Sequence, residues 1–423
     1  MPPSREVVIT GAGVVSPIGV GVDAFWQSLC MGRSGVKSVT AFPTSHLPVT
    51  FAGEIMGFDG KQYITPRKSL KVMSREIQFA VAAAGMAVQN AGLSPGAIDP
   101  ERLGVVFGAE MMHSPPEEVE AAYRGSVVEG RFDMRHWGEA AMRDIFPLWM
   151  LKFLPNMPAC HIGIAHDARG PNNTITLGEV SSLVAIAEAA RVIERGQADA
   201  IITGGVGSWL SPTAFVRCQV LGASHRNDAP ERACRPFDAA RDGQVFGEGA
   251  AAYVLESAES AAARHAPVMA RICGAARCFE PTTRATGLMG TALQKSLRGL
   301  LEVTGWSARS IGHVNAHGAS SRHEDEIEAQ AIESILGDVP VTAPSSYFGN
   351  LGAGGGAVEL LATLLAFRFD QVPATMNYED ADPRCPVQVV ADRPLITPIP
   401  RAAKLSFTSQ GQAAAIALAG AAD

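Results

Sequence analysis

The sequence predicts an α/β fold. Three observations carry that reading: apolar runs of strand length, longer stretches with apolar residues at helical spacing, and their alternation along 423 residues. Val7-Val8-Ile9, Ala200-Ile201-Ile202 and Ala251-Ala252-Tyr253-Val254 read as buried strands. After Gly178-Glu179, residues Val180, Leu183, Val184, Ala187, Ala190 and Ile193 recur at helical spacing, and Gly196 closes the pattern. Glu179 therefore stands at the N-terminal end of a helix. An Ala-rich charged stretch around 256–265 reads as a connection before a new strand pattern at 268–272, which divides the chain into halves 1–256 and 257–423.

Composition narrows the class. With 47% hydrophobic and 18% charged residues, the chain has ample apolar side chains for the cores of two or more packed units. Its net charge of -7 is mild and interspersed, which disfavours non-specific nucleic-acid binding. Seven cysteines are scattered, odd in number and without a CxxC pair, so reduced thiols are expected instead of a disulfide framework. No leader-like segment opens the chain and no run reaches the roughly 18 apolar residues of a membrane span, so a cytoplasmic protein without a span is expected.

Several motifs invite a cofactor. Thr10-Gly11-Ala12-Gly13-Val14-Val15-Ser16 carries Ser where a dinucleotide fingerprint needs its third glycine, and reads as a strand-to-loop turn. The glycines between Gly349 and Gly356 lack the Gly-Lys-Ser/Thr ending of a phosphate loop and suit close backbone packing. His313, His317, His323 and Asp325 bring no thiolate and fall on a strand running into a loop, so no metal is expected.

The segment from Gly170-Pro171-Asn172 to Glu179-Val180-Ser181-Ser182 sets a polar residue between strand and helix, a common seat for a nucleophile. Here the chain resembles the β-ketoacyl synthase family of the thiolase superfamily, whose Gly-Pro-Asn and Ser/Thr-rich strand lead to an active cysteine. Counting from Gly170 puts Glu179 on that position. The resemblance continues through Arg235-Pro236-Phe237-Asp238, Arg241-Asp242-Gly243 and Gly247-Glu248-Gly249-Ala250, through Val314-Asn315-Ala316-His317-Gly318 with Asp325 and Glu328 downstream, and through Met73-Ser74-Arg75 and Ala198-Asp199-Ala200.

The resemblance implies a thiolase fold, two similar halves in a five-layered α-β-α-β-α arrangement. It also implies roles for single residues. His317 takes the place of the first catalytic histidine, Asn350 that of the second, and Ser345 that of the lysine five residues earlier. In Ser406-Phe407-Thr408-Ser409 the usual gating phenylalanine is Ser409, so Ser345, Phe407 and Ser409 mark the tunnel and its gate. Arg67, Lys68, Lys71 and Arg75 resemble the basic helix that docks acyl carrier protein, although a solvated face is an equal alternative.

Three roles compete for Glu179. The first is a non-condensing partner like the chain-length factors, paired with a cysteine-bearing ketosynthase. The second is catalysis on acyl or malonyl groups, as decarboxylase, hydrolase, dehydratase or variant 3-oxoacyl-carrier-protein synthase, with a dipole-ionised Glu179 beside His317. The third is a helix cap or buried ion pair. Homodimer and heterodimer both remain open, and no cofactor is expected.

Overall fold

The computed structural model describes residues 5–283 and 287–421. The first half is built around β1 (Val7–Ser16), α1 (Arg75–Asn90), β2 (Leu103–Gly108), β3 (Asn172–Ile175), α2 (Ser181–Glu194), β4 (Ala200–Ser208) and β5 (Glu248–Ser257). The second half repeats the plan with β6 (Ala270–Phe279), α3 (Thr291–Thr304), β7 (His313–Asn315), α4 (Arg322–Leu336), β8 (Val341–Thr342), α5 (Gly355–Phe369), β9 (Arg401–Phe407) and β10 (Gln412–Gly420).

The strand orders match. The first half runs β1-β5-β4-β2-β3 and the second β6-β10-β9-β7-β8. In each, the first two pairings are antiparallel and the last two parallel. Even the irregularity repeats, with register shifts between Ile9 and Gly11 and between Ile272 and Gly274. The sheets meet where residues 7–9 pair with 270–272.

Helices α2 and α5 each pack on strands of both halves, α1 covers the other face of the first sheet, and α3 with α4 covers that of the second. This is the five-layered arrangement that the resemblance implies. Strands buried on both faces explain why the strand segments read as unbroken apolar runs. Every residue of α5 from Gly355 through Ala366 is buried.

Two expectations change. Thr10 through Ser16 form no turn: β1 continues through them, and side chains at Gly11 and Gly13 would fall on the carbonyl oxygens of Ala87 and Ala83 in α1. Those glycines serve helix-on-strand packing. The 18 residues of Gly352–Phe369 do reach membrane-span length and hydropathy, but 83% of them are buried inside the protein, because this is the central helix.

Candidate functional site at the strand-helix elbow

The elbow before α2 is shaped by its own sequence. Gly178 has φ 60°, the left-handed region that glycine enters without strain. Ser181 Oγ donates to the Gly178 carbonyl at 2.6 Å and accepts from the Leu177 N–H at 2.8 Å, clamping the turn. Glu179 follows, half-buried, with its carbonyl accepting from Ser406 Oγ at 2.9 Å.

The pseudo-equivalent loop before α5 brings Asn350 to it. Gly349 has φ 80°, and a side chain there would press on the Val245 carbonyl 2.5 Å away. Asn350 N–H donates to that same carbonyl at 2.7 Å, and the Asn350 carbonyl accepts from Gly247 at 2.8 Å. Its side-chain oxygen accepts from the Gly352 N–H at 2.8 Å, and its Nδ2 donates to Gln244 Oε1 at 3.0 Å. The amide also faces the Glu179 carboxyl closely enough to favour its charged form. Gln244 Nε2 in turn donates to Glu324 Oε2 at 2.8 Å, so two amides run from the side of Glu179 to a second half-buried carboxyl.

Burial decides the electrostatics here. It raises the Glu179 pKa, opposed by bonds from its own N–H and from Asn350. A helix dipole holding Glu179 ionised, as the sequence suggests, is outweighed by this desolvation. Burial followed by the charge of Glu179 pushes Glu110 up to about 7, and the same two causes push Glu324 up to about 7. Glu110 stands just beyond the C-terminal end of β2 and lines a cavity of about 150 Å³ with Glu76, Met112, Trp209 and Arg217.

A second polar centre surrounds His317. Its backbone N–H and that of Gly318 donate to Glu328 at 2.7 and 2.8 Å. Lys404 ion-pairs with Glu359 and donates to the Ala316 carbonyl at 3.0 Å. Burial and the Lys404 charge lower the His317 pKa to about 3, so its imidazole is neutral, packed edge-on against Phe407 at 5.1 Å. Ser345 Oγ donates to the Gly318 carbonyl at 2.6 Å, while Ser409 is exposed on the turn between β9 and β10.

Among the remaining sequence marks, the buried arginines are scaffolding. Arg241, fully buried, bonds Asp382 at 2.8 Å and the carbonyls of Ser321 and Arg322, tying the halves together. Arg235 pairs with Asp238, which collects N–H donors from Ala240, Glu379 and Asp380. Arg67, Lys68 and Lys71 are exposed, but Arg75 pairs with buried Glu248 at 2.9 Å and lies over the Phe79 ring. Cys218 and Cys234 are buried with thiol pKa values pushed up by desolvation, which makes them poor nucleophiles.

Comparison with known proteins gives the family. Residues 4–261 match the β-ketoacyl synthase N-terminal domain and residues 269–379 the β-ketoacyl synthase C-terminal domain. The chain belongs to the β-ketoacyl synthase family. This synthase homologue is 34% identical over 397 residues to the 3-oxoacyl-[acyl-carrier-protein] synthase 2 of Coxiella burnetii, covering 91% of each chain. The ishigamide ketosynthase/chain length factor superposes with a TM-score of 0.86 at 27% identity, covering 99% of both chains. A type II polyketide synthase acyl-carrier protein in complex with its ketosynthase bound to the hexaketide gives 0.85 at 27%, with the same coverage.

Within this family member, the sequence led to Glu179, His317 and Asn350 but missed Glu110, Gln244, Glu324 and Lys404. Glu110 had a signal: a carboxylate closing the apolar run Val105-Val106-Phe107 marks the C-terminal end of a parallel strand, where α/β sites gather. Gln244 and Lys404 had none, because their roles arise from partners far away in the chain.

Proposed function

We propose that this β-ketoacyl synthase homologue is a non-condensing, chain-length-factor-like partner of a cysteine-bearing ketosynthase in fatty-acid or polyketide chain building. The observation that carries the reading is that Glu179 and Asn350, the two positions where the family's pattern has cysteine and histidine, come together in one site, where the Asn350 amide faces the Glu179 carboxyl and favours its charged form. An acyl group transferred to the Glu179 carboxyl would form a mixed anhydride, open to water and unfit to hold a growing chain. An amide cannot take the proton-handling part of a histidine either.

The surface supports a partner. Tyr123 and Phe132 are exposed in an aromatic cluster with Trp137, and Met134 and Met142 are 69% and 87% exposed nearby in the chain. Strand β3 is a sheet edge with Asn172 and Asn173 exposed, ready for strand pairing. Coexpression with a cysteine-bearing ketosynthase is the test: a stable heterodimer is expected, and exclusive homodimers with condensing activity would overturn the reading.

A second reading rests on the raised pKa of Glu179, which suits a proton donor next to the amide donor of Asn350. It predicts that the purified chain alone decarboxylates malonyl-carrier protein, and that Glu179→Gln changes the rate.

A further inference from the structure

A second cavity, of about 610 Å³, lies on the seam between the two halves and is lined by none of Glu179, His317 and Asn350. Its size is that of ordinary small-molecule sites. Thr10 and Asn90 reach it from the first half, and His313, Leu364, Phe367 and Ile399 from the second. Most of the wall is apolar, with Val268 and Met269 completing it, and exposed Arg368 and Asp370 also border it.

His313 is the exception in that wall. It is 1% exposed, and its Nδ1 has no hydrogen-bond partner among the described residues. Its Nε2 lies 3.3 Å from Thr363 Oγ1, and Thr363 Oγ1 already accepts from Asn315 Nδ2 at 2.9 Å. The threonine hydroxyl is then free to point its hydrogen at Nε2. Burial lowers the imidazole pKa to about 4, so the ring is neutral and carries one proton. In the tautomer where Nε2 accepts from that hydroxyl, the ring proton is on Nδ1, a buried donor with no acceptor among the described residues. The ring is held edge-on to Phe367 at 6.0 Å, so it cannot swing out without losing that contact. Buried donors of this kind are costly, and a ligand acceptor relieves the cost.

We propose that this cavity binds a small apolar molecule bearing one carbonyl or carboxylate acceptor, held by the Nδ1–H of His313. The acceptor meets the imidazole and the apolar body lies along Leu364, Phe367 and Ile399. The cavity serves this purpose whether or not the elbow at Glu179 is catalytic.

Intact protein with isotope-labelled histidine tests it, using 2-octanone, octanoate and octylamine as probes. The ring signals of His313 are expected to report a neutral imidazole protonated at Nδ1, and to shift saturably with 2-octanone or octanoate but not with octylamine. A response to the ketone alone assigns a neutral carbonyl, and a response to the acid alone a carboxylate. His313→Phe should weaken the responding probe roughly tenfold, the loss of one hydrogen bond. Leu364→Trp, which fills the cavity, should abolish binding. An imidazole protonated at Nε2, a signal unmoved by both acceptors, or an equal response to octylamine overturns the proposal, and none of these three outcomes requires a variant to fold.

Discussion

The loops before α2 and α5 occupy equivalent places in two halves of the same strand order, yet they do opposite work. The first is short, closed by Gly178 and Ser181, and sets a carboxyl inside the protein. The second is longer, winds through two 3-10 turns (Pro344–Tyr347 and Gly352–Gly354), and delivers the amide that faces the carboxyl. A repeated scaffold therefore fixes where the two side chains meet without fixing what they are. The polar centre at His317, by contrast, keeps a lysine, two glutamates and a neutral histidine in one buried network.

The largest expected effect sets the two loops against each other directly. Mass spectrometry after incubation with acyl-carrier protein should find no acyl adduct on the purified chain, whereas Glu179→Cys should acquire one. Condensation should stay absent in both, since Asn350 and Ser345 are unchanged. An adduct on Glu179 would break the comparison.

Next, Lys404→Met should destabilise the second centre by about 3–5 kcal/mol, because Glu359 loses its buried partner. Denaturant midpoints measure this. Asn350→Asp comes third, placing a second carboxyl against Glu179 and removing a donor. A loss of about 1–3 kcal/mol is expected at pH 8, shrinking toward pH 5 as a proton is taken up.

The pH dependence of the unmodified chain is gentler. Glu110 and Glu324 have folded values of about 7 against an ordinary 4.5, so the folded state binds more protons between those limits. The stability they favour is present below about pH 4.5 and lost as pH rises through 7. Thermal melts between pH 5 and 8 should show that slope, flattened by Glu110→Gln or Glu324→Gln. The smallest effect belongs to the surface: reversing Arg67 and Lys71 should weaken carrier-protein binding by about 1 kcal/mol in low salt and by less in high salt. Unchanged binding would remove that patch from consideration.

Most of the fold was legible because burial writes itself into sequence. Strands covered on both faces must be apolar throughout, and α2 must show its apolar spacing and its glycine stop. Where sequence and structure part, the cause is a neighbour: Gly11 and Gly13 look like a turn because nothing local announces the helix lying on them. The site was legible in part for the same reason. Glu179, His317 and Asn350 sit in motifs of contiguous residues, but the amide chain from Glu179 through Asn350 and Gln244 to Glu324 draws on four separate segments.

By itself, then, the sequence determined the α/β class through apolar periodicity, and it set a glutamate, not a cysteine, at residue 179. Only the tertiary structure decided the protonation of the site. Desolvation, the charge of Glu179 beside Glu110 and Glu324, and the charge of Lys404 beside His317 set those pKa values, and all depend on distances between residues far apart in the chain.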